Sequence, residues 1–423
     1  MPLNEWAYQE RIVDDELCQK LTSSGAVLIE GPKACGKTET ARQTAASEVL
    51  LDIDEGARAA LAVDPGLVLA GETPRLIDEW QVEPRIWNYV RRAVDERRKA
   101  GQFILAGSAV PADDSTRHSG AGRISRLRMR PMSLFESGLS EGSISLGDLL
   151  EGSNAAADDR GLALGDIAEA IARGGWPALQ AVPVEGAMES VAAYLEEICR
   201  TDINEVDGVR RDPPRVRRLL SSLARNVATH AAMTTLAADT ADGGNDPLKQ
   251  HTVGEYLSAL ERLFVIENQP PWEPHLRSRS ILRKSPKRHF VDPSLAASAL
   301  GADPAAMLRD LNLLGFLFES LVVRDLRVYS QMRRGEVRQF LDNKGLEVDA
   351  IVESGGGSWG AFEVKLGGER NIEVAAANLL KFAAEVDTRR SGEPAALGVI
   401  VAAGYGYTRE DGVQVIPITA LGP

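Results

Sequence analysis

Residues 31–38 have the sequence Gly31-Pro32-Lys33-Ala34-Cys35-Gly36-Lys37-Thr38, which follows the pattern G-x-x-x-x-G-K-[ST]. An apolar run at 26–30 precedes it and predicts a buried strand, and a helical pattern follows from Lys37 to Val49. The glycines let successive backbone N–H groups point into one concavity, where they can bind phosphate oxygens. In this pattern the lysine reaches the β- and γ-phosphates and the threonine hydroxyl binds Mg²⁺. Residues 31–38 therefore predict a site for ATP and Mg²⁺.

Length and composition restrict the class of protein. The 423 residues allow two or three domains, and the net charge of −13 argues against general coating of nucleic acid. The three cysteines (Cys18, Cys35 and Cys199) lack the spacing of a zinc site or a disulfide framework. No run approaches the ~20 apolar residues of a membrane span, and the first 20 residues lack a signal-peptide core. We therefore expect a cytoplasmic protein without a membrane partner.

Polar residues end two of the strands that follow the loop. Strands are predicted at 49–53, 76–79, 103–106 and 127–131. Asp78 would hold the Mg²⁺ shell, and Glu79 would orient and deprotonate the attacking water. The alternative is a polar strand end that opens the next helix. Ser108 follows the fourth strand and would sense the γ-phosphate, or else it is an N-cap.

Arginines after the fourth strand supply a further candidate function. Arg123 and Arg126 would stabilise transition-state charge in the site of a neighbouring subunit, which requires a homo-oligomer. Arginines that are solvated or paired with acids are the alternative, and the residues alone leave both open.

The loop at 31–38, the acidic strand at 76–79, Gly107-Ser108 and the run at 122–136 together resemble the AAA+ ATPases of the AAA_14 group. Members of that group usually carry a C-terminal module called DUF4143. The resemblance implies an α/β domain whose five-stranded parallel sheet has the order 5-1-4-3-2 and is flanked by helices. We assign residues 1–136 to this AAA+ P-loop ATPase domain.

The middle of the chain predicts a linker and then a second, smaller domain. Residues 137–213 are interpreted as a linker and helical region, with a flexible Gly-, Ser- and acid-rich connection over 137–165. Residues 214–300 predict three helices and a β-ribbon, which resembles a winged helix-turn-helix and implies DNA as a partner. A solvated hairpin or a protein-docking face is the alternative. The basic residues of the predicted wing are Arg277, Arg279, Arg283, Lys284, Lys287 and Arg288.

Residues 301–423 contain a second chemical pattern. Glu363 and Lys365 lie two apart on a predicted strand and share one face, and Asp349 lies on the partner strand. The pattern resembles the PD-(D/E)xK restriction-endonuclease-like α/β fold, with Glu319 on the first helix. The resemblance implies that Glu319, Asp349 and Glu363 hold Mg²⁺ while Lys365 orients water. The alternative is a surface Glu–Lys pair.

Two functions are compatible with these patterns. The first is an ATP-hydrolysing, DNA-associated AAA+ protein whose nuclease-like C-terminal site cuts or merely holds DNA. The second is a nucleotide-gated switch that binds a protein and carries an inactive nuclease-like scaffold. DNA-stimulated ATP turnover would favour the first, and its absence at low salt would favour the second.

Overall fold

The computed structural model describes residues 8–108, 119–241, 247–274 and 285–423. The chain forms two compact units. The N-terminal unit contains the residues up to Pro131 together with Thr201–Arg210 and Ser258–Val265. The C-terminal unit contains Met132–Arg200, Arg211–Leu257 and Ile266–Pro423.

The elements are named in chain order. The strands are β1 (Ala26–Glu30), β2 (Ser47–Leu50), β3 (Arg75–Asp78), β4 (Phe103–Gly107), β5 (Ile124–Arg128), β6 (Ile144–Ser145), β7 (Ile266–Gln269), β8 (Lys287–Phe290), β9 (Glu336–Leu341), β10 (Glu347–Glu353), β11 (Trp359–Lys365), β12 (Ala396–Val401), β13 (Tyr407–Thr408), β14 (Gln414–Pro417) and β15 (Leu421–Gly422). The helices are α1 (Val13–Ser23), α2 (Lys37–Arg42), α3 (Glu55–Val63), α4 (Pro65–Leu69), α5 (Ile86–Arg97), α6 (Leu146–Leu149), α7 (Leu164–Arg173), α8 (Val184–Glu197), α9 (Ile203–Glu205), α10 (Pro213–Arg225), α11 (Met233–Ala238), α12 (Gln250–Arg262), α13 (Pro293–Leu300), α14 (Pro304–Arg309), α15 (Leu311–Gln331), α16 (Glu369–Glu385) and α17 (Thr388–Ser391). Among the described residues, no helix combines the length and the apolar character needed to cross a membrane.

Five parallel strands form the sheet of the N-terminal unit in the order β2-β3-β4-β1-β5. Leu28 of β1, for example, lies opposite Leu105 of β4 and Arg126 of β5. This is the predicted order 5-1-4-3-2 counted from the other edge, so the predicted α/β fold of this part is confirmed. Because β1 and β4 are neighbours, the loop after β1 begins beside the end of β4, and β3 ends one strand further along.

Helices cover both faces of this sheet because side chains alternate along each strand. Leu28 and Ile77 pack on one face with Trp80 and Trp87 of the segment after β3. The opposite face carries Ile29 and packs with residues of α1 and α2. A sheet between two helical layers holds its strand ends rigidly, and functional groups of such folds lie at the carboxyl ends of the strands.

The C-terminal unit has a six-stranded mixed sheet in the order β13-β14-β12-β11-β10-β9. β10 pairs antiparallel with β9 and β11, whereas β11, β12 and β14 run parallel. Leu379 and Phe382 of α16 pack against the sheet with Ile351 and Trp359. Helix α15 contacts β9, β10 and β11. The predicted C-terminal α/β architecture is therefore present.

The prediction that residues 137–165 form a flexible connection is wrong. Strand β6 lies in this segment and pairs with β15, with Ile144 opposite Leu421. The Ser140 hydroxyl donates to the Leu421 carbonyl at 2.6 Å, and the Ala155 N–H donates to Gln414 Oε1 at 2.8 Å. The local composition favours a loop, but partners more than 250 residues away satisfy the backbone groups of the segment and hold it in place.

Candidate functional site

The loop at 31–38 connects β1 to α2 and depends on two glycines. A Cβ added to Gly31 would lie 2.2 Å from the carbonyl oxygen of Met129, so only glycine fits this close approach. Gly36 has a φ of 101°, in the left-handed region that glycine enters without steric cost. These two positions let the backbone curl immediately after the buried strand.

Two basic residues hold the loop from outside. The Arg11 guanidinium donates to the carbonyl oxygens of Cys35 at 2.9 Å and of Arg130 at 2.8 Å. The Lys33 ammonium lies 2.5 Å from a carboxylate oxygen of Asp202, which is buried. Charged donors make the stronger hydrogen bonds, so these contacts fix the outer side of the loop.

Lys37 and Thr38 lie at the start of α2, facing the end of β3. The Lys37 ammonium donates to the carbonyl oxygens of Gly31 at 3.0 Å and Pro32 at 2.7 Å. The Thr38 hydroxyl donates to the Asp78 carboxylate, at 3.0 and 3.2 Å from its two oxygens. The tertiary structure thus places a hydroxyl and a carboxylate side by side next to an ammonium group.

Glu79, Gln81 and Ser108 form a second part of this site. Glu79 has a φ of 49°, which is strained for a residue with a side chain and is typical of functional positions. The Gln81 amide contacts the Glu79 carboxylate and donates to the Ser108 hydroxyl at 3.3 Å. Sequence analysis missed Gln81, although its position two residues after the acidic pair is a usable signal.

Burial raises the pKa of both acids in this site. The hydrogen bond from the Thr38 hydroxyl lowers the pKa of Asp78, but by less than burial raises it. The Lys37 ammonium lowers the pKa of Glu79 in the same way, again by less than burial raises it. A carboxyl group whose pKa moves towards neutrality is a better proton acceptor than an ordinary surface acid. The oxygens of Thr38 and Asp78 are ligands of the type that Mg²⁺ prefers, so these residues fit the ion.

The two arginines considered as trans-acting groups are paired with acids of the same unit. Arg123 Nε lies 2.7 Å from Asp95 Oδ1, and Arg126 Nη1 lies 2.7 Å from Glu30 Oε2. Both guanidinium groups remain partly exposed. Their action on a neighbouring subunit stays a prediction.

In the C-terminal unit, the structure brings all four predicted nuclease-like residues together. Lys365 Nζ lies 2.7 Å from Glu363 Oε2 and 3.4 Å from Asp349 Oδ2. The N–H of Val364 donates to Asp349 Oδ2 at 2.9 Å. Glu319, Asp349 and Glu363 are all buried, so the alternative of a simple surface pair does not describe this cluster.

The prediction that Lys287 is a phosphate-contacting residue of the wing is wrong. Its side chain is only 2% exposed, and its ammonium lies 2.8 Å from Glu319 Oε1, 2.8 Å from Glu347 Oε1 and 3.3 Å from Asp349 Oδ1. The carboxylates attract the lysine inward, because a buried charge is tolerated only when it is paired. Lys287 is therefore a member of the acid–lysine cluster, which we define as Lys287, Glu319, Glu347, Asp349, Glu363 and Lys365.

The acids of the cluster differ in their proton affinity. Burial would raise the pKa of Asp349, but the ammonium groups of Lys287 and Lys365 outweigh it and lower that pKa. Burial raises the pKa of Glu319 to about 8 in spite of Lys287, and it also raises the pKa of Glu363. Two ammonium groups shared by four carboxylates cannot neutralise all of them, so Glu319 and Glu363 take up protons before Asp349 does.

The arrangement does not fit the metal ion that the nuclease-like fold implies. Within the described residues, no group of three or more His, Cys, Asp or Glu side chains is arranged to hold a metal ion. The Lys287 ammonium lies 2.8 Å from Glu319 Oε1, a distance typical of a charge-assisted hydrogen bond, and 3.3 Å from Asp349 Oδ1. We therefore assign no metal-dependent step to Glu319, Asp349 and Glu363.

Of the other basic residues of the predicted wing, the structure describes only Arg288. The segment containing Arg277, Arg279, Arg283 and Lys284 lies outside the described residues. Arg288 lies on β8, and its guanidinium donates to the Ala231 carbonyl at 2.9 Å. Strands β7 and β8 do form the predicted antiparallel ribbon.

The sheet order and the loop give the first domain the fold of the P-loop AAA class. Residues 23–137 match the AAA_14 family, described as an AAA domain, and residues 314–421 match DUF4143, a domain of unknown function. These two stretches are thus similar to the families that the sequence resemblance named. Residues 164–306 match DUF8612, another domain of unknown function.

Similarity to solved structures is distant. The Walker-type ATPase PABY2304 of Pyrococcus abyssi is 14% identical with a TM-score of 0.41, over 68% of this chain and 94% of that chain. The ORC2 protein of Aeropyrum pernix, in ADPNP–ADP complexes, is 13% identical with a TM-score of 0.33, over 61% and 85%. The ORC1 protein of Aeropyrum pernix in complex with DNA is 15% identical with a TM-score of 0.29, over 72% and 97%. Such TM-scores carry no argument about function, and no curated protein matches the chain.

Proposed function

We propose that the N-terminal unit binds and hydrolyses ATP at the site formed by residues 31–38, Asp78 and Glu79. The observation that carries this proposal is the contact of the Thr38 hydroxyl with the Asp78 carboxylate, at 3.0 and 3.2 Å, beside the Lys37 ammonium. Three groups from two segments of the chain are thereby assembled for one ligand with several negative charges. A Gly-rich turn without a ligand would not need the acid at the end of β3.

Each side chain has a separate part in this proposal. Lys37 exchanges its carbonyl partners for the β- and γ-phosphates, and Thr38 and Asp78 supply oxygen ligands to Mg²⁺. When bound, Mg²⁺ neutralises charge on the phosphate oxygens. Glu79 takes the proton of the attacking water, while Gln81 and Ser108 hold that carboxylate and water in place.

Glu79→Gln tests the assignment of the base. The variant should bind ATP like the wild type, because the loop is unchanged, and hydrolyse it on the order of 10²–10⁴-fold more slowly. Nucleotide affinity and phosphate release are measured on the full chain. Glu72→Gln is the matched control, since Glu72 is an exposed acid of the same unit. Wild-type turnover by Glu79→Gln would remove Glu79 from the mechanism.

DNA is a second candidate ligand, supported by the order of elements in the middle of the chain. Helices α10, α11 and α12 are followed by the β7–β8 ribbon, and the residues between the two strands carry four basic side chains: Arg277, Arg279, Arg283 and Lys284. Because Lys287 is neutralised internally, we propose that these four residues make the contacts with phosphate. A protein partner that binds in response to ATP is the alternative.

Binding to duplex DNA at several salt concentrations separates the two candidates. Replacement of the four basic residues by alanine should weaken DNA binding and reduce its salt dependence, because fewer counterions are released. ATP turnover with and without DNA is measured in parallel. Failure of the wild type to bind DNA at low salt would favour the protein-binding switch. The homo-oligomer and the cytoplasmic location stay predictions.

A further inference from the structure

The acid–lysine cluster contains an ammonium group at the point where its carboxylates converge. Lys287 comes from β8, Glu319 from α15, and Glu347 and Asp349 from β10, so three elements meet around this nitrogen atom. Its distances of 2.8, 2.8 and 3.3 Å to three carboxylate oxygens match the three donors of an ammonium group. Mg²⁺ would need oxygens at 2.0–2.1 Å in near-octahedral geometry.

The remaining carboxylate oxygens of Asp349 and Glu363 are also engaged. Asp349 Oδ2 accepts from the Val364 N–H and from Lys365, and Glu363 Oε2 accepts from Lys365 at 2.7 Å. Glu363 Oε1 accepts from the Asn378 amide at 2.5 Å. Both oxygens of Asp349 and both oxygens of Glu363 are therefore held by protein donors, and a metal ion would have to displace several of them.

The position of Lys287 is fixed by the strand that carries it. His289, two residues further on β8, is buried and lies 3.0 Å from Gln269 Oε1 and 3.2 Å from the Ser320 hydroxyl. The Gln269 amide nitrogen donates in turn to the Asp349 carbonyl at 2.9 Å. These contacts and the pairing of β8 with β7 hold the backbone from which Lys287 reaches the carboxylates.

We propose that Lys287 is the resident cation of this site, that it excludes divalent metal ions, and that the DUF4143 domain therefore does not cleave phosphodiesters by a metal-dependent reaction. The Lys287 ammonium supplies the positive charge that a bound metal ion would supply in a metal-dependent nuclease. This inference concerns the C-terminal unit only and does not depend on ATP hydrolysis.

Binding of Mn²⁺ by the full chain tests the proposal. Thr38→Ala with Asp78→Asn removes the ligands of the nucleotide site and serves as the background. Electron paramagnetic resonance measures the free Mn²⁺ and so the amount bound. The background protein should bind no more Mn²⁺ than the same protein with Asp349→Asn added. One bound Mn²⁺ that is lost on adding Asp349→Asn would overturn the proposal, whether or not DNA is cut.

Lys287→Met provides the converse experiment in the same background. Without the ammonium, Glu319, Glu347 and Asp349 should gain one Mn²⁺ with at least tenfold higher affinity than the background protein. Lys381→Met is the matched control, because Lys381 is an exposed lysine on α16, and it should gain none. A folded Lys287→Met variant that gains no ion would show that Lys287 is not what excludes the metal. If this variant does not fold, the Asp349→Asn comparison still decides the question.

Discussion

Replacement of Arg324 by methionine should destabilise the C-terminal unit strongly. Arg324 is 2% exposed, and its guanidinium lies 2.8 Å from Asp292 Oδ2 and 2.8 Å from Asp325 Oδ1. Both acids are fully buried. Both acids also accept hydrogen bonds from the backbone. The Gly175 N–H donates to Asp292 at 2.9 Å, and the Leu134 N–H donates to Asp325 at 3.0 Å. Arg324 thus neutralises two acids that hold three distant segments of the chain together.

The expected cost follows from this geometry. Removal of one partner from a buried ion pair costs about 3–5 kcal/mol, because an uncompensated charge remains. One arginine serves two acids here, so we expect the upper end, about 5 kcal/mol. The C-terminal unit is larger than 250 residues, so the lower end of the range of roughly 2–4 °C per kcal/mol applies and Tm should fall by about 10 °C.

Urea unfolding with hydrogen exchange of the α15 amides measures this loss in the unit concerned. Arg333→Met is the matched control, because Arg333 pairs with Glu151 at the surface, where the two side chains are 44% and 63% exposed. Such a pair contributes about 0–1 kcal/mol. A loss below about 1 kcal/mol for Arg324→Met, or one equal to that of the control, would refute the role given to this buried network.

Three further results are expected. Lys37→Ala should weaken ATP binding by about 3 kcal/mol, on the order of 100-fold, because charge-assisted contacts with phosphate are lost; unchanged affinity in calorimetry would exclude the loop as the site. Gln81→Ala should leave ATP affinity intact and slow hydrolysis on the order of 10–100-fold, since Glu79 loses its positioning partner; equal turnover would contradict this. In the native protein, a thiol reagent at pH 8 should alkylate the exposed Cys18 and spare the buried Cys199. The reason is that burial raises the pKa of Cys199 to about 11, so that little of its reactive thiolate forms. Equal labelling of the two cysteines in mass spectrometry would contradict the buried position of Cys199.

Local patterns predicted most of the N-terminal unit. Strand β1 occupies the predicted residues 26–30, and the acids at 78 and 79 do lie where β3 ends. The ends of elements were less accurate: α2 stops at Arg42 rather than continuing to Val49, and β5 begins at Ile124, before the predicted 127. Apolar periodicity indicates that an element exists, whereas its ends depend on the hydrogen bonds of neighbouring segments.

The sequence by itself determined the phosphate-binding loop. Within its eight residues, the two glycines specify the backbone curl, and the lysine and threonine specify its chemistry. It also determined the four nuclease-like residues, since a hairpin and the helix before it bring them together. Only the tertiary structure decided that Lys287, a basic residue in a basic segment, turns inward to Glu319, Glu347 and Asp349. The physical reason is that a charge is buried only with its counter-charges, and these counter-charges lie 32 to 62 residues away in the chain.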